Sequence, residues 1–269
     1  MMEKAYKNLE FLSSREARTL RILAEYLEPQ ARFARYNVTD TVVFFGSARA
    51  LPPDEAAERL VAAEKQGDDA EIERARRAKV LAGYYDDARA LAHLLTDWSK
   101  GLQLPSRRFI VCSGGGPGIM EAANQGASEA SGISIGLGIS LPHEVTANRY
   151  ITRELGFEFH YFFMRKFWFF YLAKALVVFP GGFGTLDELF ELLTLIQTGK
   201  TEKEMPVVLY GSEFWSEVVN FEALVRWGTI SPEDVNLFRI CSTPDEAFGY
   251  LEKELSRIYL APNEGDPRR

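Results

Sequence analysis

Twice in this chain an apolar run ends in closely spaced glycines and passes straight into a helical pattern. The first is FIVCSGGGPGIMEAANQGA at 109–127, the second VVFPGGFGTLDE at 177–188. A strand that is apolar at every position is buried on both faces, which happens in parallel sheets covered by helices. Glycine lets the chain turn sharply after such a strand and lets a ligand approach the main chain. The helix that follows points free N–H groups back over the turn. Two such units call for an open α/β sheet, whose ligand crevice lies at the carboxyl ends of its strands.

The remaining segments keep the same alternation. TVVFFGSAR, 41–49, reads as a buried strand opening into a Gly-Ser turn. Further strands are expected at 108–113, 133–139, near 157–162, at 175–179 and at 206–210. Helices are expected at 117–130, 164–173, 185–198, 213–227 and near 244–257. Upstream, Leu9, Leu20, Leu23 and Leu27 fall at helical spacing and predict one or two helices within 3–28. Residues 54–79 read as a charged, solvated helical stretch broken near Gly67, with another helix over roughly 80–99. The expected architecture is a doubly wound, Rossmann-like parallel sheet with helices on both faces. Its divisions are an N-terminal helical extension at 1–35, the α/β domain at 36–260 and a frayed tail at 261–269.

Composition narrows the function classes. A chain of 269 residues can bury a large core. Its formal net charge of -7 offers no basic field to collect phosphates along a polymer, so nucleic acid is not expected as the partner. Two cysteines, Cys112 and Cys241, make no disulfide framework and fit a reducing cytoplasm. The N-terminus lacks the apolar core of a secretory signal. Arg165, Lys166 and Lys174 break the most apolar stretch, 160–180, into runs too short to span a bilayer, so no membrane association is expected.

Neither glycine turn has the G-x-x-x-x-G-K-[ST] pattern of a P-loop or the G-x-G-x-x-G spacing of a dinucleotide site. Glycine-paved helix N-termini still point to a bound phosphate. Thr185 and Glu188 have the spacing of a capping box, and spacing alone does not separate that from a carboxylate facing the crevice. Arg165 and Lys166 lie within FFMRKFWFFY, a helix apolar enough to be mostly buried. Buried cations need anionic partners, unless the side chains reach a surface. His143 and Glu144, in LPHE, follow the strand at 133–139 and so belong to the same end of the sheet. Some matches are decoys. GISIG at 132–136 has the nucleophile pattern, but Ser134 enters a strand where a strand-to-helix elbow is required. His93, His143 and His160 show no metal-ligand spacing, and no metal site is expected. Cys112, ending an apolar strand, reads as core.

Taken together, GGGPGIM (114–120), MRK (164–166) and PGGFGTLDE (180–188) resemble the LOG family of nucleoside 5'-monophosphate phosphoribohydrolases, often mislabelled lysine decarboxylases. The likeness runs from about residue 41 to 211, and the N-terminal helices resemble its larger bacterial branch. The resemblance implies hydrolysis of the N-glycosidic bond of an AMP-like or cytokinin-type monophosphate, without metal or organic cofactor, by a homodimer or larger assembly. It implies Arg165 and Glu188 as the catalytic pair. Implied substrate contacts are Ser47, Gly115, Gly116, Met120, Glu144, Lys166, Gly181, Gly182, Phe183, Gly184, Thr185, Leu186, Asp187 and Thr194. Asp187 stands where many relatives have Glu, and Asn148 is assigned no role. The competing readings are a nucleotide-binding regulator without turnover and a pyridoxal-phosphate decarboxylase. The second requires a Schiff-base lysine that no motif here marks.

Overall fold

A computed structural model describes residues 3–102, 104–140 and 147–260. Its strands are β1 (Thr41–Phe45), β2 (Ile110–Ser113), β3 (Ser134–Ile139), β4 (Gly156–Phe159), β5 (Ala173–Val178), β6 (Val207–Tyr210) and β7 (Arg239–Cys241). They form one sheet in the order β4-β3-β2-β1-β5-β6-β7, and every neighbouring pair is parallel. From β1 the chain steps outward through β2, β3 and β4, then returns to the other flank of β1 for β5. The order therefore reverses between β1 and β5, and a crevice opens beyond the carboxyl ends of the strands there.

The connecting helices are α1 (Leu9–Ser13), α2 (Arg18–Arg35), α3 (Pro53–Gln66), α4 (Asp69–Gly101), α5 (Ile119–Glu129), α6 (Phe162–Tyr171), α7 (Phe183–Gln197), α8 (Ser212–Val218), α9 (Phe221–Arg226) and α10 (Pro244–Leu255). Successive strand residues face opposite ways, and β1 shows what that does here. Val43 and Phe45, with Leu176 and Leu209, pack against Phe33 of α2, Trp168 and Phe169 of α6, Leu189 of α7 and Trp215 of α8. Val42 and Phe44, with Val111 and Val177, pack against Leu91 and Leu95 of α4, Ala122 and Ala123 of α5, and Leu251 of α10. Both faces are covered by helices, as a doubly wound sheet requires.

Helix α2 is joined to this core by more than apolar contact. The Glu25 carboxylate accepts from the main-chain N–H groups of His160 and Tyr161 at 2.8 and 3.2 Å, and Trp168 donates from Nε1 to the Glu25 carbonyl at 2.9 Å. Arg32 donates to the Gly156 carbonyl at 2.9 Å and lies 3.9 Å over the Phe157 ring. No helix among the described residues is long and apolar enough to cross a membrane.

Three boundaries differ from the sequence expectation. The charged stretch divides only once, at Gly67, which adopts φ 72° to end α3. Asp68 then caps α4, accepting from the Ala70 and Glu71 N–H groups, and one helix of 33 residues replaces the expected pair. The expected helix 213–227 is two, because the Asn220 side chain caps a new helix through the Ala223 N–H at 2.8 Å. Strand β7 was not expected, since three residues give no usable period.

Candidate active site

Three turns meet at the carboxyl ends of β1, β2 and β5, and main-chain hydrogen bonds through Ser47 stitch them together. The Ser47 N–H donates to the Pro180 carbonyl at 2.9 Å, and the Ser47 carbonyl accepts from the Ile119 N–H at 3.1 Å. The turn after β1 is thus tied to both glycine runs. Gly118 makes this approach possible. Its φ is 70°, and an added Cβ would lie 2.3 Å from the Ser47 carbonyl oxygen. The starts of α5 and α7 consequently flank the end of β1.

Helix α7 opens at Phe183 with Gly182 as its N-cap, and no side chain among the described residues caps it. The Leu186 N–H is bonded to the Gly182 carbonyl at 3.0 Å, and the N–H groups before it have no helical acceptor. The capping-box alternative fails here: with the helix starting two residues earlier than expected, Thr185 lies inside its first turn. Thr185, Glu188, Leu189 and Leu192 form the buried face of α7, a helical stripe whose first two members are polar. Thr185 leans over Gly181, where a Cβ would sit 2.1 Å from the threonine hydroxyl, whereas Gly182 and Gly184 have open space within 4 Å.

Glu188 is only 6% exposed, and its Oε2 has no hydrogen-bond partner among the described residues. Burial pushes its carboxyl up to about 7, against the pull of Arg165 and Lys166, with Asp187 and Glu191 adding to the rise. Arg165 reaches the crevice from α6, donating from Nε to the Leu137 carbonyl at 2.8 Å and lying 5.0 Å over the Phe169 ring. A Cβ added at Gly114 would be 2.7 Å from Arg165 Nη2 and 2.6 Å from Met120 Sδ, so both side chains rest on the first glycine turn. Burial lowers the Arg165 pKa, and the Glu188 charge opposes that shift. The result is a desolvated carboxylate, a desolvated guanidinium and an uncapped helix N-terminus around one crevice. Such an arrangement favours a ligand bearing both an anionic group and a centre that becomes cationic.

A family described as "Possible lysine decarboxylase" matches residues 120–251. Cytokinin riboside 5'-monophosphate phosphoribohydrolase LOG1 of Arabidopsis thaliana is 31% identical over 162 residues, covering 58% of this chain and 74% of that protein. The chain belongs to the LOG family. Among solved structures, that of TM1055 is similar at 21% identity and a TM-score of 0.48, covering 80% of this chain and 99% of its own. The Moco carrier protein from Chlamydomonas reinhardtii is similar at 19% identity and a TM-score of 0.47, covering 81% and 99%.

Of the other residues that the LOG resemblance implied, Lys166 acts on the Glu188 charge and Thr194 does not reach the glycine turn. Lys166 is bound to two carboxylates of α7, Asp187 at 2.7 Å and Glu191 at 2.6 Å. Burial works to lower its pKa, but those hydrogen bonds outweigh it and the net shift is upward. Its visible work is to clamp α6 to α7. Thr194 lies some 16 Å along α7 from Phe183 at 1.5 Å per residue, exposed, with its hydroxyl donated to the Phe190 carbonyl. Within one chain it is not brought to the glycine turn. Instead it lines an outer groove of α7 together with Phe183, Leu186, Asp187, Phe190 and Glu191. Glu144 and His143 lie outside the described residues. Ser134 opens β3 and Cys112 is core, its thiol pushed up by burial.

Sequence reasoning passed over one group. Asn148 donates from Nδ2 to the carbonyls of Gly115 and Gly116, at 3.1 and 3.0 Å, and to Asn124 Oδ1 at 3.0 Å. Asn124 and Ser113 are wholly buried beneath it. Ser113 donates to Asn124 Oδ1 at 2.7 Å and accepts from the Gly115 N–H at 3.1 Å. Polar residues at interior positions 113 and 124 were the available signal, since buried polar groups are placed where their partners are.

Proposed function

We propose that the chain hydrolyses the N-glycosidic bond of nucleoside 5'-monophosphates, giving free base and ribose 5-phosphate. The observation that carries this reading is Glu188, a buried carboxylate with an oxygen unpartnered among the described residues, in the second turn of a helix whose N-terminus no described side chain caps. Its desolvation is costly unless a positive charge appears beside it. Breaking a glycosidic bond supplies that charge, because the ribose passes through an oxocarbenium-like state. The Arabidopsis relative is named for this chemistry on a riboside 5'-monophosphate.

In this mechanism the N–H groups around Gly182, Phe183, Gly184 and Thr185 hold the 5'-phosphate. The C1'–N bond breaks with its electron pair leaving on the base, which takes up a proton. Ionised Glu188 stabilises the ribosyl cation and accepts a proton from the water whose oxygen bonds to C1'. Arg165, on the side of the first turn, stabilises anionic charge on the departing base or the phosphate. Met120, Gly115, Gly116 and Ser47 form the wall along which base and ribose lie.

The active form in this proposal is at least a homodimer. Phe162, Phe163, Phe167 and Tyr171 of α6 and Phe183 and Phe190 of α7 are all substantially exposed, Phe183 at 93%. So many exposed aromatic side chains on two neighbouring helices support an interface there. The reading is tested with a panel of nucleoside 5'-monophosphates, following free base and ribose 5-phosphate in wild-type and Glu188→Gln protein. Release by the wild type and none by Glu188→Gln is the expected result. Tight binding without any base release would replace the hydrolase with a nucleotide-binding regulator.

A further inference from the structure

Asn148 shapes the first glycine turn in a way that bears on ligand contact. Its side chain holds the Gly115 and Gly116 carbonyls, and its own N–H also donates to the Gly115 carbonyl at 2.9 Å. No peptide bond among the described residues is cis. In a trans peptide the C=O of one residue and the N–H of the next point in opposite directions. With the Gly115 carbonyl turned toward Asn148, the Gly116 N–H is directed away from it and has no acceptor among the described residues. The Gly115 N–H is already given to Ser113, and Pro117 has none. Gly116 therefore offers the free donor of the Gly115–Gly116–Pro117 stretch.

The support beneath Asn148 is built rather than incidental. Asn124 is fully buried, donating from Nδ2 to the Ile135 carbonyl at 3.2 Å, while its Oδ1 accepts from both Ser113 and Asn148. That fixes the Asn124 amide and presents an acceptor to Asn148 Nδ2. The Asn148 Oδ1 in turn accepts from the Tyr150 N–H at 3.2 Å. The turn cannot rotate its peptides without breaking several of these bonds together. Gly115 itself, at φ 75°, has Gly136 Cα 3.3 Å from where a Cβ would stand.

We infer that Asn148, seated on the buried Asn124–Ser113 pair, is a positioning residue of the nucleotide site: it fixes the Gly115–Gly116 peptide so that the Gly116 N–H is presented to the bound nucleoside monophosphate. This rests on the function proposed above and adds a contact on the wall opposite in sequence to the α7 phosphate cradle. Asn148 acts through Gly116 and touches no ligand itself.

The test uses full-length protein labelled with 15N-glycine, carrying Glu188→Gln so that AMP is bound without turnover. Addition of AMP is expected to shift the Gly116 amide resonance. Asn148→Asp keeps the size and the bond from Tyr150 but sets an oxygen against three acceptors. Asn148→Ala removes the donors while its main-chain N–H still holds the Gly115 carbonyl, so it serves if the Asp variant does not fold. Either change should weaken AMP binding about tenfold, the worth of a misplaced hydrogen bond or two. In the Glu188 background it should raise KM more than it lowers kcat. A purely structural clamp would lower the melting temperature and leave KM alone. AMP binding that leaves the Gly116 resonance unmoved, or Asn148→Ala binding AMP as tightly as its parent, overturns the inference while sparing the proposed function. A wild-type chain that binds no nucleoside monophosphate removes both.

Discussion

Replacing Glu188 by Gln should make the protein more stable, and only above the pH at which the buried carboxyl ionises. In the folded chain burial raises this carboxyl from its ordinary 4.5 to about 7, with the attraction of Arg165 and Lys166 already included. Between those two pH values the folded state keeps a proton that the unfolded state has released. Stability therefore falls as pH rises through that window, with the full penalty present above 7 and none below 4.5. At about 1.4 kcal/mol for each pH unit, the penalty is ~3 kcal/mol. A glutamine amide left without a partner costs ~1 kcal/mol of its own. The net gain at pH 8 is then ~2 kcal/mol, on the order of 5 °C in melting temperature for a chain of this size. Thermal unfolding of both proteins without ligand, at pH 8 and pH 4.5, measures it directly. Other carboxylates titrate alike in the two proteins, so the difference between them isolates position 188. A Glu188→Gln protein no more stable at pH 8, or offset equally at both pH values, would show that the carboxylate is not desolvated. The reading of Glu188 as a carboxylate whose desolvation cost is offset by a developing positive charge would then be wrong.

Other outcomes follow from the same geometry. With ionised Glu188 as the working form, kcat/KM for base release should rise with pH through about 7 and level off above it; a profile flat from pH 5 to 8 would contradict this. Gly181→Ala should lower both melting temperature and activity, because its Cβ meets the Thr185 hydroxyl at 2.1 Å. Gly182→Ala should fold normally, having nothing within 4 Å, yet raise KM for the nucleotide about tenfold by occupying the anion's place; equal effects of the two changes would dissolve the distinction. Light scattering at micromolar concentration should give at least twice the chain mass, and a monomer would leave the aromatic surface of α6 and α7 unexplained.

Much of this architecture can be read from the sequence, for physical reasons that also mark where reading stops. Runs such as FIVC and ALVVF are apolar throughout and lead within two residues into glycine turns, so burial on both faces leaves a local signature. β7 leaves none in three residues. T-L-D-E has capping-box spacing, and only the true helix start at Phe183 shows that Thr185 is internal. The stripe of Thr185, Glu188, Leu189 and Leu192 contained that answer, since core periodicity put a glutamate on an inward face. The LOG resemblance implies Lys166 as a substrate contact; its bonds to Asp187 and Glu191 come from another helix and have no local mark in the sequence. Asn148 has no local mark of its own, only the indirect signal of polar residues at 113 and 124: its value lies in two carbonyls more than thirty residues away, brought near by the β2–β3 pairing.

The phosphate requirement tests the central claim most directly. AMP and adenosine at equal concentration would be incubated with the wild-type chain and free adenine measured against time. An uncapped α7 N-terminus paved by Gly181, Gly182 and Gly184 should hold the 5'-phosphate, and that remote binding helps orient the reacting bond. Adenine should be released from AMP, with ribose 5-phosphate as co-product, while adenosine stays essentially intact. Comparable release from both substrates would mean that the glycine turn is no phosphate cradle, and the assignment of the crevice to nucleoside 5'-monophosphates would fall.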